Sequence, residues 1–411
     1  MRRSSTSVSA IVFSRASWNS AVSEVVLNEN EQTTPLLAYV SASRIGHQAW
    51  EVIQHCSFAN RAGRRLLIFL SSGNVNHAFH VFDSERIRFF QLESKAGQDL
   101  PLFFQEALTR IAFDEDDGGR LFRAITALNP ALCSRPFSDY WVDYFDFRLP
   151  CDHFSPLAIQ EKYHAQGECL LEKLGLSQGD WYVCLHLRAS SFLGDTVREW
   201  QNQTITNYLP LIEHLTALGA YVIRMGDPSM PPLPQVDRVV DYAHSPHRSP
   251  FADIFLSSKA KFFIGSQSGL RVLPMMLGTP LLNLNYYPLS LDDIQPSNLT
   301  IFKRVFSEKK GDFLTLREIM ADPMLCHRQT DEEYRNAGLS IRENTPEEVL
   351  AATCEYLDLL KFDAWTPEQR CFQEELRGSL RRSAHAKGYG NTAFNSEGFC
   401  RIAQSYLREH W

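Results

Sequence analysis

Three short clusters in the second half of this 411-residue chain combine residue types that can grip an anion. The first, Cys184-Leu185-His186-Leu187-Arg188, closes the apolar run Tyr182 to Leu187. Side chains alternate along an extended segment, so Cys184, His186 and Arg188 share one face, and His186 and Arg188 leave the strand at its carboxyl end. A guanidinium there can hold a pyrophosphate with a bidentate fork. Its permanent charge offsets the charge that builds on a departing nucleoside diphosphate, which is leaving-group catalysis without a metal. The competing use of the pair is structural, a His and an Arg bonded to nearby loops.

The second cluster is Ile223-Arg224-Met225-Gly226-Asp227, a buried strand ending in a charged pair separated by glycine. Arg224 and Asp227 are candidates for donor binding, against a salt-bridged Arg and a helix-capping Asp. Asp253, on a helix expected over Phe251 to Ser258, either caps locally or faces a ligand. The third cluster, Lys261-Phe262-Phe263-Ile264-Gly265-Ser266-Gln267-Ser268-Gly269, is the strongest. A buried strand runs into small polar residues and then a helical run, Leu270 to Leu277. The Ser hydroxyls and the open N–H groups of a helix start make an anion site, and Gly269 lets the backbone approach a phosphate. An ordinary Ser cap is the alternative, but the next strand, Leu281-Leu282-Asn283-Leu284-Asn285, also ends in polar groups at the same edge.

In the first half, Arg44-Ile45-Gly46-His47 occupies an equivalent strand-to-helix loop, which makes His47 a candidate base against the plainer reading of a polar surface residue. Asp114-Glu115-Asp116-Asp117-Gly118 contains an Asp-x-Asp pattern, but it follows an expected helix and reads as a solvated turn. No metal site is expected. Neither GxxxxGK[ST] nor a GxGxxG after the first strand occurs.

The elements that must position these residues follow from apolar periodicity. Leu36 to Val40, a helix through Ala49, Val52, Ile53 and Cys56, and Leu66 to Leu70 predict a parallel α/β domain. Helices are expected over 102–112 and 119–128. Strands are expected at Tyr182–Leu187, Ala220–Arg224, Arg238–Asp241, Lys261–Ile264 and Pro280–Leu284, with a helix through Ile205, Tyr208, Leu209, Ile212 and Leu215 that Gly219 ends. Thr345-Pro346-Glu347-Glu348 and Thr366-Pro367-Glu368-Gln369 combine a capping box with proline at the first helical position. The division expected is a lead-in over 1–33, a Rossmann-like acceptor-side domain over 34–170, a Rossmann-like nucleotide-sugar domain over 171–344, and C-terminal helices over 345–411.

Composition limits the alternatives. With 44% hydrophobic and 22% charged residues the chain buries real cores, and its length favours two domains over one. A net charge of -7 argues against a nucleic-acid footprint. Nine cysteines without a CxxC pair read as reduced thiols, and no run reaches the roughly 20 apolar residues of a membrane span. The expectation is a cytoplasmic protein with no transmembrane segment and at most peripheral membrane contact.

At these clusters the chain resembles a family of bacterial glycosyltransferases, itself distantly similar to the GDP-sugar-using fucosyltransferases. The resemblance runs from Arg44-Ile45-Gly46-His47 to the helix start at Asn344-Thr345-Pro346-Glu347-Glu348. It implies a GT-B fold of two facing Rossmann-like domains, a nucleoside-diphosphate sugar held mainly by the C-terminal domain, and no cofactor or required metal. It implies too that Arg188 contacts the diphosphate, that His186 sits beside it, and that Ser266, Gln267 and Ser268 line the phosphate or sugar pocket. The chain departs from the fucosyltransferase pattern in carrying Ala189-Ser190 after Arg188, where those enzymes usually continue with a second Arg, so neither guanine nor fucose follows. The function expected is transfer of a hexose or deoxyhexose to a bacterial glycan, lipid-linked saccharide or small molecule. The alternatives are a nucleotide-sugar epimerase and a noncatalytic glycan- or nucleotide-binding protein.

Overall fold

Short, wholly buried strands carry most of this architecture. The computed structural model describes residues 36–40, 45–70, 77–91, 154–189, 198–290, 293–324, 328, 330–362, 364–386 and 399–411. These fall into two compact units, the first holding 36–91 with 154–160 and the second 161–411. The expected lead-in over 1–33, the helices over 102–112 and 119–128, and the acidic turn at 114–118 lie outside the described residues.

The first unit contains β1 (Leu36–Val40), α1 (Ile45–Ala62), β2 (Leu66–Leu70), a 3-10 turn over His77–Phe82, and β3 (Ile87–Gln91). Its three strands are parallel in the order β1-β2-β3. Ala38, Val40, Ile68 and Leu70 pack with Ala49, Val52 and Ile53 from α1, all buried. The helix starts at Ile45, earlier than expected. His47 therefore lies in the first turn of α1 and not in a loop.

The second unit runs α2 (His164–Lys173), β4 (Tyr182–Leu185), α3 (Leu209–Ala217), β5 (Tyr221–Arg224), β6 (Val239–Val240), α4 (Pro250–Lys259), β7 (Phe263–Gly265), α5 (Val272–Leu277), β8 (Leu281–Tyr286) and β9 (Leu299–Phe302). It continues through β10 (Arg304–Ser307), β11 (Asp312–Phe313), α6 (Leu316–Met320), α7 (Asp331–Asn336), β12 (Leu339–Arg342), α8 (Pro346–Leu359), α9 (Pro367–Ala386) and α10 (Gln404–His410). Six strands form one parallel sheet in the order β6-β5-β4-β7-β8-β9. Strands of such a sheet are covered on both faces, so β4, β7 and β8 are buried at every position. A small antiparallel sheet, β11-β10-β12, follows.

One core unites the parallel sheet with the C-terminal helices. Val183, Leu185, Ile264 and Leu282 pack with Leu211 and Leu215 of α3, Val349 and Tyr356 of α8, Phe372 of α9 and Leu407 of α10. Thr345 and Glu348 form the expected capping box. At α9, Thr366 and Gln369 exchange equivalent bonds of 3.0 and 3.2 Å. Thr315 and Thr330 start α6 and α7 in the same way. Two expected helices open more tightly than a regular α-turn: a 3-10 turn over Ile205–Tyr208 leads into α3, and another over Gly269–Arg271 leads into α5. Among the described residues no helix is long and apolar enough to cross a membrane.

Candidate functional site

The strand order places a switch of direction between β4 and β7. From β4 the chain winds outward through β5 to β6, and from β7 it winds the other way through β8 to β9. Helices that leave the two central strands go to opposite faces, so a crevice opens beyond their carboxyl ends, where open α/β sheets bind ligands. The two segments that follow those strands are His186-Leu187-Arg188 and Ser266-Gln267-Ser268-Gly269, and the sequence clusters are thereby brought together. Ser268 Oγ and His186 Nδ1 share a hydrogen bond of 2.9 Å across the switch point.

His186 is half-buried, and desolvation holds its pKa down at about 4, with Asp227 raising it and Arg224 and Arg188 lowering it further. It is a neutral imidazole near pH 7, able to donate or accept but not to serve as a cation. Its Nε2 has no hydrogen-bond partner among the described residues. Ser266 is 1% exposed, and its Oγ and the buried Gln267 Oε1 also lack partners among the described residues. Leaving a buried polar group unpaired costs about 1–3 kcal/mol, which a polar ligand would recover. Gly269, exposed, opens the 3-10 turn. Arg188 is half-buried, with Nη1 donating to the Arg198 carbonyl at 2.8 Å and to Asn202 Oδ1 at 3.1 Å.

The cluster after β5 is used differently. Arg224 is 3% exposed and forks onto Asp241, with Nε to Oδ1 at 2.8 Å and Nη2 to Oδ2 at 2.9 Å. Nη2 also donates to the Pro231 carbonyl at 2.8 Å. Its guanidinium is thus turned to the fold. Asp227 accepts from the Ser229 N–H at 2.9 Å, a local turn and not a helix cap. Gly226, at φ 136°, sits where a Cβ would fall 2.3 Å from Met230 Sδ and 3.8 Å from the His186 ring. The second cluster therefore walls one side of His186. Asp253 stands in the first turn of α4, which Ser249 caps, and accepts from Tyr242 Oη at 2.8 Å; burial lifts its pKa to about 6.

The polar ends of β8 serve the scaffold. Arg271 donates from Nε to Asn283 Oδ1 at 2.9 Å and from Nη2 to Asp293 Oδ1 at 3.2 Å, and its guanidinium stacks 4.7 Å from the centre of the Tyr286 ring. Asn285 donates to Tyr208 Oη at 2.9 Å. Arg271 directly follows Ser266–Leu270, so this network anchors the polar loop from behind. Sequence reading also missed Lys303 and Asn202, which meet beside Arg188 at 2.7 Å and share no local pattern. Among the described residues, the only trio with metal-ligand spacing is Glu348, Glu409 and His410, and there Glu348 already accepts from Thr345 and His410.

No family model matches the sequence, and no curated protein matches it. Solved structures with a similar chain trace include a glycosyl transferase of family 9 from Veillonella parvula, at 12% identity and TM-score 0.47 over 82% of this chain and 100% of that one. Another is the ADP-heptose lipopolysaccharide heptosyltransferase II of E. coli, at 12% identity and TM-score 0.43 over 80% and 100%. A third is the iron-containing dodecameric glycosyltransferase TibC of enterotoxigenic E. coli, at 14% identity and TM-score 0.37 over 80% and 79%. Likeness at these identities transfers no activity, donor or metal to this chain.

Proposed function

We propose that this chain is a metal-independent glycosyltransferase of the GT-B type that binds a nucleoside-diphosphate sugar at the β4–β7 switch point. The observation that carries the reading is the convergence there of Arg188, the His186–Ser268 pair, and the unpartnered Ser266 Oγ and Gln267 Oε1. In the proposed reaction the bond from the sugar's anomeric carbon to the diphosphate oxygen breaks as an acceptor oxygen bonds to that carbon. Negative charge grows on the diphosphate, where the Arg188 guanidinium and neutral donors of the loop stabilise it without reorganising. The proton leaves the acceptor hydroxyl for a general base. The acceptor class is a glycan, lipid-linked saccharide or small hydroxylated molecule, and a GDP-sugar is one of the donors to be tried.

The test is thermal unfolding against ADP, GDP, UDP and their sugar conjugates, with Arg188→Ala alongside. A ligand at 100 times its Kd adds roughly 2.7 kcal/mol to the folded state. One nucleotide should raise the transition in the wild type and not in Arg188→Ala. No shift with any of them would remove the donor site. Binding without donor turnover across an acceptor panel would instead make the protein a nucleotide-binding module, and a changed sugar on the donor without acceptor would make it an epimerase.

A further inference from the structure

Arg188 is placed by a strap. Residues 198–208 run from beyond β4 toward β9 and β12, and the Gln203 N–H donates to the Arg188 carbonyl at 3.0 Å. Asn202 is the strap's centre, with its side-chain oxygen accepting from Arg188 and its main-chain carbonyl accepting from Lys303 Nζ at 2.7 Å. Lys303 directly follows β9, which lies beyond β7 and β8 from β4, and is 3% exposed. The strap is pinned elsewhere by acids and rings. Asp331 accepts from the Glu199 N–H at 2.7 Å, and Glu343 accepts from the Thr204 N–H at 2.9 Å and from Asn207 Nδ2 at 3.2 Å. Buried Trp200 meets Tyr287 and Tyr334 edge-on at 5.9 and 5.8 Å.

A buried ammonium is costly to the fold, and an apolar residue would fill its place at less cost. We propose that Lys303 is a positioning residue for Arg188, fixing the guanidinium through Asn202, and that its charge sets both the affinity for a nucleoside diphosphate and the loss of that affinity at alkaline pH. This rests on the donor-site reading above. The groups facing the ammonium are Glu343 and Asp331, which favour its charged form, and Arg188, which opposes it; burial dominates and brings its pKa down to about 8. An arriving diphosphate restores the favourable balance and holds the proton. Binding therefore weakens as pH rises through that value, because the free protein must then take up a proton to bind.

The experiment is calorimetric titration of the full chain with ADP, GDP and UDP from about pH 7 to 9.5, a range over which the terminal phosphate, ionising near pH 6, is already about nine-tenths charged or more. Lys303→Met should bind roughly tenfold more weakly at pH 7 and lose the alkaline limb. Lys303→Arg, charged throughout, should restore affinity at pH 7 and hold it to pH 9.5. Lys303→Met with wild-type affinity and pH profile overturns the inference, as does a loss of thermal stability with no change in Kd. If Lys303→Met does not fold, a Lys303→Arg protein that retains the wild-type alkaline limb overturns it instead. Arg188→Ala separates the two readings. No effect of that variant removes the donor site itself, whereas a large effect with Lys303 indifferent removes only the positioning role.

Discussion

His186 and His55 are both imidazoles that burial keeps neutral, each with a pKa near 4 in place of 6.5. The unfolded chain takes up these protons near pH 6.5 and the folded chain only near 4. Their contribution to stability is therefore complete above about pH 6.5 and is lost as the pH falls toward 4. A shift of this size corresponds to at most about 3 kcal/mol for a fully buried ring, and to less for half-buried His186. His186→Gln should flatten the acid limb of the unfolding free energy obtained by urea titration by about 1–2 kcal/mol; a limb identical to wild type would mean the ring is not held neutral. Arg224 and Arg188 offer a second contrast at this scale. Arg224→Met leaves the Asp241 carboxylate without its fork and should cost about 3 kcal/mol in chemical unfolding, since breaking a buried pair strands the partner. Arg188→Ala should cost the empty protein less and abolish nucleotide stabilisation, so the two arginines separate into one used by the fold and one used by the ligand. Equal losses of stability would place Arg188 with Arg224.

Helix α2 carries Gly167 at a buried position, and an ideal Cβ there would fall 1.9 Å from the ring of Phe255 on α4. Gly to Ala inside a helix ordinarily gains about 1 kcal/mol. Here the wholly buried ring blocks the methyl group, and Gly167→Ala should lose about 1–3 kcal/mol and several degrees of melting temperature. A rise would mean that the ring swings aside. This close approach gave no sign in the sequence, because Gly167 and Phe255 are 88 positions apart and only the packing of two helices joins them. The central strands were legible for the opposite reason: buried on both faces, Tyr182–Leu185 and Phe263–Gly265 read as plain apolar runs. Capping boxes at Thr345 and Thr366 were legible because they are local, and those at Thr315 and Thr330 carry the same signal in Thr-Leu-Arg-Glu and Thr-Asp-Glu-Glu. Strand order was not legible, and with it went the adjacency of β4 and β7 that joins His186 to Ser268. The same holds for Lys303, whose partner Asn202 lies 101 positions away. Arg224 was misleading in a specific way: a guanidinium at a carboxyl strand end looks alike whether it faces a ligand or Asp241.

At the scale of the molecule, two compact units on one chain mean that unfolding need not be a single two-state step. The candidate donor site lies wholly within the second unit, since β4, β7 and the strap all belong to residues 161–411. A ligand that binds only the native form of that unit raises only the transitions in which it unfolds. Gly167 and Phe255 belong to the same unit, so Gly167→Ala marks its transition independently of any ligand. In scanning calorimetry of the full chain, the endotherm lowered by Gly167→Ala should be the one that a saturating nucleoside diphosphate raises by several degrees. An endotherm of the first unit should respond to neither. If the nucleotide instead raised an endotherm that Gly167→Ala leaves in place, the ligand would be stabilising residues outside 161–411, and the donor would have to be assigned to the unit built on β1, β2 and β3.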